Sequence, residues 1–291
     1  MDTVMNDKEN LYTPKQVLER YMTGCISRTS APWWRICLLG IMAGAFIAFG
    51  AAASSVSMYG IPVTGLSRTV GGAVFPIGLM LIILVGGELF TGDCLMITGA
   101  MDGRYPWKSV ICDLILVFVS NFVGALFIAF LVTHSGQLVF SDNELGAYVI
   151  KVAAGKLNIP FGTAFLSGIL CNILVCAAVF MAAGATDVTG KLWATFFPIF
   201  VFVICGFEHC VANMYYLTAG ILAAGNDAYA AKATALYGSD VVDRLISHGW
   251  IDMLTKNLLP VTIGNMVGGM VCVGLPVYIL YHDKKKGKKS A

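Results

Sequence analysis

Two ionisable residues, Glu208 and His209, interrupt an apolar run of the chain, and no other charge lies between Lys191 and Asp227. An ionisable side chain at membrane depth is expensive and usually faces a pore, a cavity or a partner rather than lipid. His209 can change charge near physiological pH. It could therefore protonate a weak-acid anion ahead of an apolar constriction, and it is the sharpest candidate for a pore-facing role. A second apolar run carries Glu88 and Asp93, and Gly-x-Glu occurs in both, at Gly86-Gly87-Glu88 and Gly206-Phe207-Glu208. Paired Gly-rich polar breaks in two apolar segments mark discontinuous helices that meet at a midplane site.

A broken helix leaves backbone N–H groups pointing at the break, with partial positive charge that attracts anions. Thr91 and Gly92 lie at the first break, and Cys210, Val211 and Ala212 at the second. Glu88 and Glu208 are expected to be structural, accepting hydrogen bonds from the backbone of the breaks. Asp93 is placed to cap the half-helix that follows it. Asn172 and Asn265 are buried amides that serve either as helix–helix hydrogen bonds or as polar lining. Phe75, Leu79, Leu89, Phe90 and Phe202 are ordinary packing residues, unless they line the path, in which case they make dry constrictions.

The elements that must position these residues follow from composition. The 291 residues are 57% hydrophobic and 12% charged, with mean hydropathy +0.77, against about 25% charged in a soluble domain. Uncharged stretches long enough for membrane helices give six spans, roughly 33–57, 70–102, 107–134, 160–184, 190–220 and 258–281. The second and fifth are too long or too broken for one simple helix. The expected class is an all-α membrane protein. A cytosolic amphipathic segment (1–32) precedes a six-span transport domain (33–281) and a basic tail (282–291). With both termini inside, thirteen Lys and Arg lie on the inner side against six outside, which obeys the positive-inside rule. The expected location is therefore the plasma membrane with cytoplasmic termini. All five Trp fall near span ends, as interfacial anchors do.

Thr13-Pro14-Lys15-Gln16 has the spacing of a capping box with Pro at the first helical position. The amphipathic helix it starts rests either on the inner face of the pore or on lipid. Spans 1–3 and 4–6 share three patterns in order: Gly40/Gly44 against Gly168/Asn172, the two Gly-x-Glu breaks, and Asn121-Phe122-Val123-Gly124 against Asn265-Met266-Val267-Gly268. An odd number of helices per unit makes the second unit inverted. The net charge of +2 gives no reason to expect nucleic acid. No His-Glu-x-x-His, Gly-x-Ser-x-Gly or clustered metal ligands occur, so neither enzyme chemistry, a metal nor a cofactor is expected.

Gly206-Phe207-Glu208-His209, the Glu88-Leu89-Phe90-Thr91 break and the segment Pro260 to Asn265 resemble the formate/nitrite transporter family over about residues 15–281. The resemblance implies an aquaporin-like protomer, a homopentamer with one pore per protomer, and formate as the first candidate substrate. Nitrite and hydrosulfide are the alternatives. A water or glycerol channel is less favoured, because Asn-Pro-Ala is missing at both breaks. The resemblance also implies His209 close to Thr91, with Asn172 and Asn265 nearby. It implies an outer slit of Phe75 and Phe202, an inner slit of Leu79 and Leu89, and Lys156 as a vestibule cation facing outer solvent. The chain departs from the family pattern at Asp93.

Overall fold

The structure, a computed structural model, describes residues 11–282. Six helices are long and apolar enough to cross a membrane: Trp33–Met58, Thr64–Val85, Trp107–His134, Phe161–Gly184, Val188–Cys205 and Asp240–Tyr281. They are spans 1 to 6. Their outer faces carry large apolar side chains such as Leu38, Phe49, Ile115, Phe127, Leu166 and Phe197, as a bilayer or a neighbouring apolar surface demands.

Spans 2 and 5 are each followed by four non-helical residues and a half-helix. Span 2 stops where Gly86 takes φ +105°, and helical backbone resumes at Phe90 and continues to Met101. Span 5 stops at Gly206, left-handed at φ +70°, and resumes as Cys210–Ala224. These conformations suit glycine because it has no Cβ to clash. The breaks at 86–89 and 206–209 lie close to the expected 88–93 and 205–211.

Close approach of spans 1 and 3, and of spans 4 and 6, rests on small residues, as in other membrane helix pairs. A Cβ on Gly124 would land on the Ile41 carbonyl, and one on Gly268 would land on the Ile169 carbonyl. These contacts seat two buried asparagines over the breaks. Asn121 Oδ1 accepts the Phe90 N–H at 3.0 Å, and its Nδ2 donates to the Gly40 and Glu88 carbonyls at 2.8 and 2.9 Å. Asn265 Oδ1 accepts the Cys210 N–H at 2.9 Å, and its Nδ2 donates to the Gly168 and Glu208 carbonyls at 2.8 and 3.0 Å. The two amides thus make matching sets of bonds on matching residues of the shared patterns.

The glutamates do not do this work. Their side chains bond to other side chains, because a planar amide offers both a donor and an acceptor to a stranded backbone whereas a carboxylate only accepts. Asp93 does not act as a cap either. Leu89 takes the cap position of the half-helix without a side-chain bond, and Asp93 turns instead to Arg28.

Three further elements differ from expectation. A surface helix, Phe140–Leu157, lies between spans 3 and 4. Its charged residues kept it out of the apolar pattern. The helix that carries span 6 extends back to Asp240, too long for one bilayer crossing, so its charged first part, Asp240–Asp252, precedes the apolar run from 258 and follows a separate helix, Asp227–Tyr237. Span 6 also widens into π-helical turns at Met253–Leu258 and Val267–Gly274, shortly before Pro260 and Pro276, whose rings cannot continue an α ladder.

The amino-terminal helix, Pro14–Thr29, starts with the full capping box at Thr13 and Gln16. Its apolar residues Val17, Leu18 and Met22 are buried, which selects the pore face over lipid, although Ile26 stays exposed. Tyr12 N–H bonds to the Gly184 carbonyl at 2.8 Å. Arg104, in the turn between spans 2 and 3, bonds Glu19 at 2.6 Å and Thr23 at 3.0 Å, and also holds Asp102. Asp102 further pairs with His282 at the end of span 6. Burial alone would raise the Asp102 carboxyl, but the Arg104 bond and the nearby His282 and Arg104 charges hold it below its ordinary value. The lysines of the expected basic tail lie outside the described residues.

Asn121→Leu or Asn265→Leu should each strand one N–H and one carbonyl at a buried break and remove a bond to span 1 or span 4, costing about 3 kcal/mol or more. Thermal unfolding in detergent should show a clearly lowered midpoint for both. An unchanged midpoint would mean that the breaks are held by something other than these amides.

Candidate functional site

His209 sits at the last position of the second break, and its Nδ1 accepts the Ala212 N–H at 3.0 Å. The ring is therefore the N-cap of the half-helix Cys210–Ala224. With Nδ1 used as an acceptor, a neutral ring carries its proton on Nε2. That nitrogen lies 2.9 Å from Thr91 Oγ1, so the first residues of the two half-helices meet through one hydrogen bond. His209 and Thr91 are 3% and 0% exposed.

Two cavities open on opposite sides. The first, 710 Å³, is lined by Ser54 and Met58 near the end of span 1, by Arg68, and by Phe75, Phe202 and His209 at its floor. The second, 640 Å³, is lined by Arg35 and Leu39 near the start of span 1, by Arg28 of the amino-terminal helix, and by Leu79 and Leu89. These two ends of span 1 are about 30 Å apart at the rise of an α-helix. Phe75 and Phe202 meet edge to face with centroids 5.4 Å apart, and Phe202 stacks near the His209 ring at 5.9 Å. Phe90 lines neither cavity. It packs edge-on against Phe118 at 5.1 Å, because successive residues of the half-helix point in different directions; Thr91, which also lines neither cavity, points to His209.

Asn172 and Asn265 also line neither cavity. Asn172 Nδ2 donates to the Thr91 carbonyl at 3.1 Å and the Asn265 carbonyl at 2.7 Å. Both amides position the backbone behind Thr91 and His209 rather than the surface of a path. Their side chains are used on backbone groups of the breaks and of the neighbouring spans.

Each break carries its glutamate toward a cation supplied from outside the spans. Lys156 of the surface helix holds Glu208 at 2.8 and 3.0 Å. Lys156 is thus a half-buried ion-pair partner, 17% exposed at its side chain, and not a cation free in outer solvent. Asn213 donates to Glu208 at 2.6 Å and to Asn257 Oδ1 at 2.7 Å, and Asn257 donates to the Lys156 carbonyl at 3.0 Å. On the other side Arg28 meets three carboxylates: Asp93 at 2.6 Å, Glu88 at 2.8 Å and Asp113 at 2.5 Å. The carboxylate at Asp93 therefore belongs to a charge cluster beneath the amino-terminal helix.

Arg28, Asp113, Asn121, Asn213 and Asn257 were not singled out from sequence as site residues. Only Asn121 had a signal, its place in the shared Asn-x-Val-Gly pattern. The others are ordinary polar residues until the fold brings them together.

The Formate/nitrite transporter family model matches residues 15–279. The chain is 36% identical over 272 residues to a probable formate transporter of Methanothermobacter thermautotrophicus, covering 87% of this chain and 91% of the relative. It is 37% identical over 242 residues to the formate channel FocA of Haemophilus influenzae, covering 81% and 83%. Among solved structures, a pentameric formate channel with formate bound superposes with TM-score 0.75 at 30% identity, over 86% of this chain and 98% of that one. An ion channel of the same family superposes with TM-score 0.74 at 28% identity, over 91% and 98%. A six-span protein with two helix breaks joined by a Thr–His bond, matched by that family along nearly its whole length, belongs to the formate/nitrite transporter family.

Proposed function

We propose that this protein transports small monovalent weak-acid anions, formate first among them, through one pore in each protomer of a homopentamer. The observation that carries this reading is the Thr91–His209 bond set between two cavities on opposite sides of the molecule. Relatives named as formate channels and transporters, rather than enzymes, support formate as the substrate. A structural neighbour that is a pentameric formate channel supports the assembly. Nitrite and hydrosulfide are anions of the same small class and remain the alternative cargo. No feature of the site favours a neutral-solute channel. The matching Asn121 and Asn265 bonds support reading the two halves as inverted copies.

In this proposal an anion enters the 710 Å³ cavity and meets the aromatic pair Phe75 and Phe202, then His209 and Thr91, then Leu79 and Leu89. A bare anion in such an apolar slit is heavily penalised, whereas the neutral acid is not. The group within reach that can offset the penalty is the His209 Nε2–H, which now points to Thr91. An anion that displaces the Thr91 hydroxyl accepts this hydrogen bond and, in the limit, the proton itself. Losing that proton leaves an anionic ring unless Nδ1 is protonated in turn. Protonating Nδ1 requires giving up the bond from Ala212 N–H. Proton transfer is thus tied to the first turn of the half-helix, and the hydrogen bond is the first interaction an arriving anion makes. Glu208 does not repel it strongly, because Lys156 sits on both of its oxygens.

The substitution His209→Asn tests the role of the ring. Asn is among the best N-cap residues, so it keeps an acceptor for Ala212 while removing the titration. Reconstituted protein should lose the pH dependence of formate flux while remaining folded. Wild-type flux with the wild-type pH profile would make His209 a structural cap only.

The sequence count of thirteen Lys and Arg in the segments assigned to the side of the amino-terminal helix against six in the others supports placing that side in the cytoplasm of a cell whose plasma membrane holds the protein. Cysteine replacements at the exposed positions Lys108 and Ser135 probe this with a membrane-impermeant maleimide. Ser135→Cys should label in intact cells, and Lys108→Cys only after lysis. The reverse pattern would invert the orientation.

A further inference from the structure

The 710 Å³ cavity is lined by three cations, Arg68, Lys151 and Lys156, and by a single carboxylate, Glu208. Lys156 is already spoken for by both oxygens of that carboxylate. Arg68 and Lys151 therefore carry the uncompensated positive charge of this mouth. Among the described residues neither of them makes an ion pair. Lys151 is exposed, with its ammonium 4.6 Å from the centroid of the Tyr237 ring. The opposite cavity has no such surplus, since its cations Arg28 and Arg35 share the lining with Glu88 and Asp93.

Arg68 is also held in place. Its Nη1 donates to the Ile204 carbonyl at 3.2 Å, in the last turn of span 5, directly before the break that carries His209. At Gly206 a Cβ would collide with this guanidinium, so the glycine that ends the span also makes room for Arg68. A guanidinium offers five N–H donors in a planar fork. One arm is used on Ile204. A fork of this kind matches two oxygens in one plane, as in a carboxylate, far better than it matches a single-centre anion. An ammonium such as Lys151 attracts any anion and has no such preference.

We propose that Arg68 and Lys151 form an anion-capture site at this mouth, with Lys151 collecting anions by charge and Arg68 selecting planar two-oxygen anions by shape. Formate and nitrite fit the fork and hydrosulfide does not. The inference rests on the transport reading above and adds the step at which cargo is chosen, before the aromatic pair and His209 are reached.

The test is initial uptake into proteoliposomes holding the full chain, over a range of formate or hydrosulfide concentrations, at low and high ionic strength. Arg68→Lys keeps the charge and removes the fork. It should raise the half-saturation concentration for formate about three- to tenfold, in line with loss of one charge-assisted bidentate contact, and leave hydrosulfide and both maximal rates unchanged. Lys151→Gln should raise half-saturation for both anions at low salt, an effect that high salt removes. Equal shifts for formate and hydrosulfide in Arg68→Lys would overturn the shape selection. A fall in maximal rate at every salt concentration would assign Arg68 to packing against Ile204 instead. Lys151 is exposed, so its replacement leaves folding intact, and an unchanged half-saturation at low salt in Lys151→Gln would overturn the capture site on its own. Wild-type protein that moves neither anion would sink the transport reading itself, whereas indifferent variants of an active wild type sink only this inference.

Discussion

Backbone polar groups cannot be left unpaired in a bilayer. Two spans of this protein nevertheless stop and restart inside the molecule, and the rest of the structure is arranged around the repair. Asn121 and Asn265 each bind one N–H and one carbonyl at a break and tie them to a carbonyl of span 1 or span 4. For the amides to reach, spans 3 and 6 must lie almost against spans 1 and 4, and glycines at Gly124 and Gly268 allow it. Thr91 and His209 are close to each other because these braces fix the ends of the half-helices that carry them. The pore centre is thus set by residues that do not touch the cavities.

Charge is treated with the same economy. Each break exposes a glutamate toward a cavity, and each glutamate meets a cation from a helix outside the spans: Arg28 for Glu88 and Lys156 for Glu208. Removing one partner of a buried pair leaves an uncompensated charge, which is more damaging than never having had the pair. The amino-terminal helix and the surface helix Phe140–Leu157 are therefore joined to the transport core by electrostatics as well as by apolar packing. The two sides are unequal. Arg28 faces three carboxylates, while Lys156 faces one and is accompanied by Arg68 and Lys151.

Much of this was legible in the sequence, for identifiable reasons. Spans are visible because a bilayer demands about twenty apolar residues in a row, and the breaks because Gly-x-Glu is so unlike its surroundings. The capping box of the amino-terminal helix is a local bond between Thr13 and Gln16, and local bonds leave local marks. The roles of Glu88, Glu208 and Asp93 were misjudged because their partners come from far along the chain. Arg28 and Asp113 are separated by 85 positions, and no periodicity joins them. The surface helix leaves no apolar run in the sequence, because Asp142, Glu144, Lys151 and Lys156 interrupt it. Asn172 and Asn265 were found as buried amides, but whether such a group faces a path or a carbonyl is decided only in three dimensions.

The amino-terminal helix has a consequence for the order in which the protein can be built. Ribosomes deliver this helix first, yet its partners are all made later. Arg28 must wait for Asp93 and Asp113, Glu19 for Arg104, Tyr12 for Gly184, and the Asp102 of the adjoining turn for His282 at the far end of span 6. The Arg28 and Glu19 bonds therefore become possible once span 3 has been made, the Tyr12 bond only with span 4, and the Asp102–His282 pair only with the end of span 6. A chain cut before His282 would lack that pair, and with it one brace on Asp102, the residue that orients Arg104 toward Glu19 and Thr23.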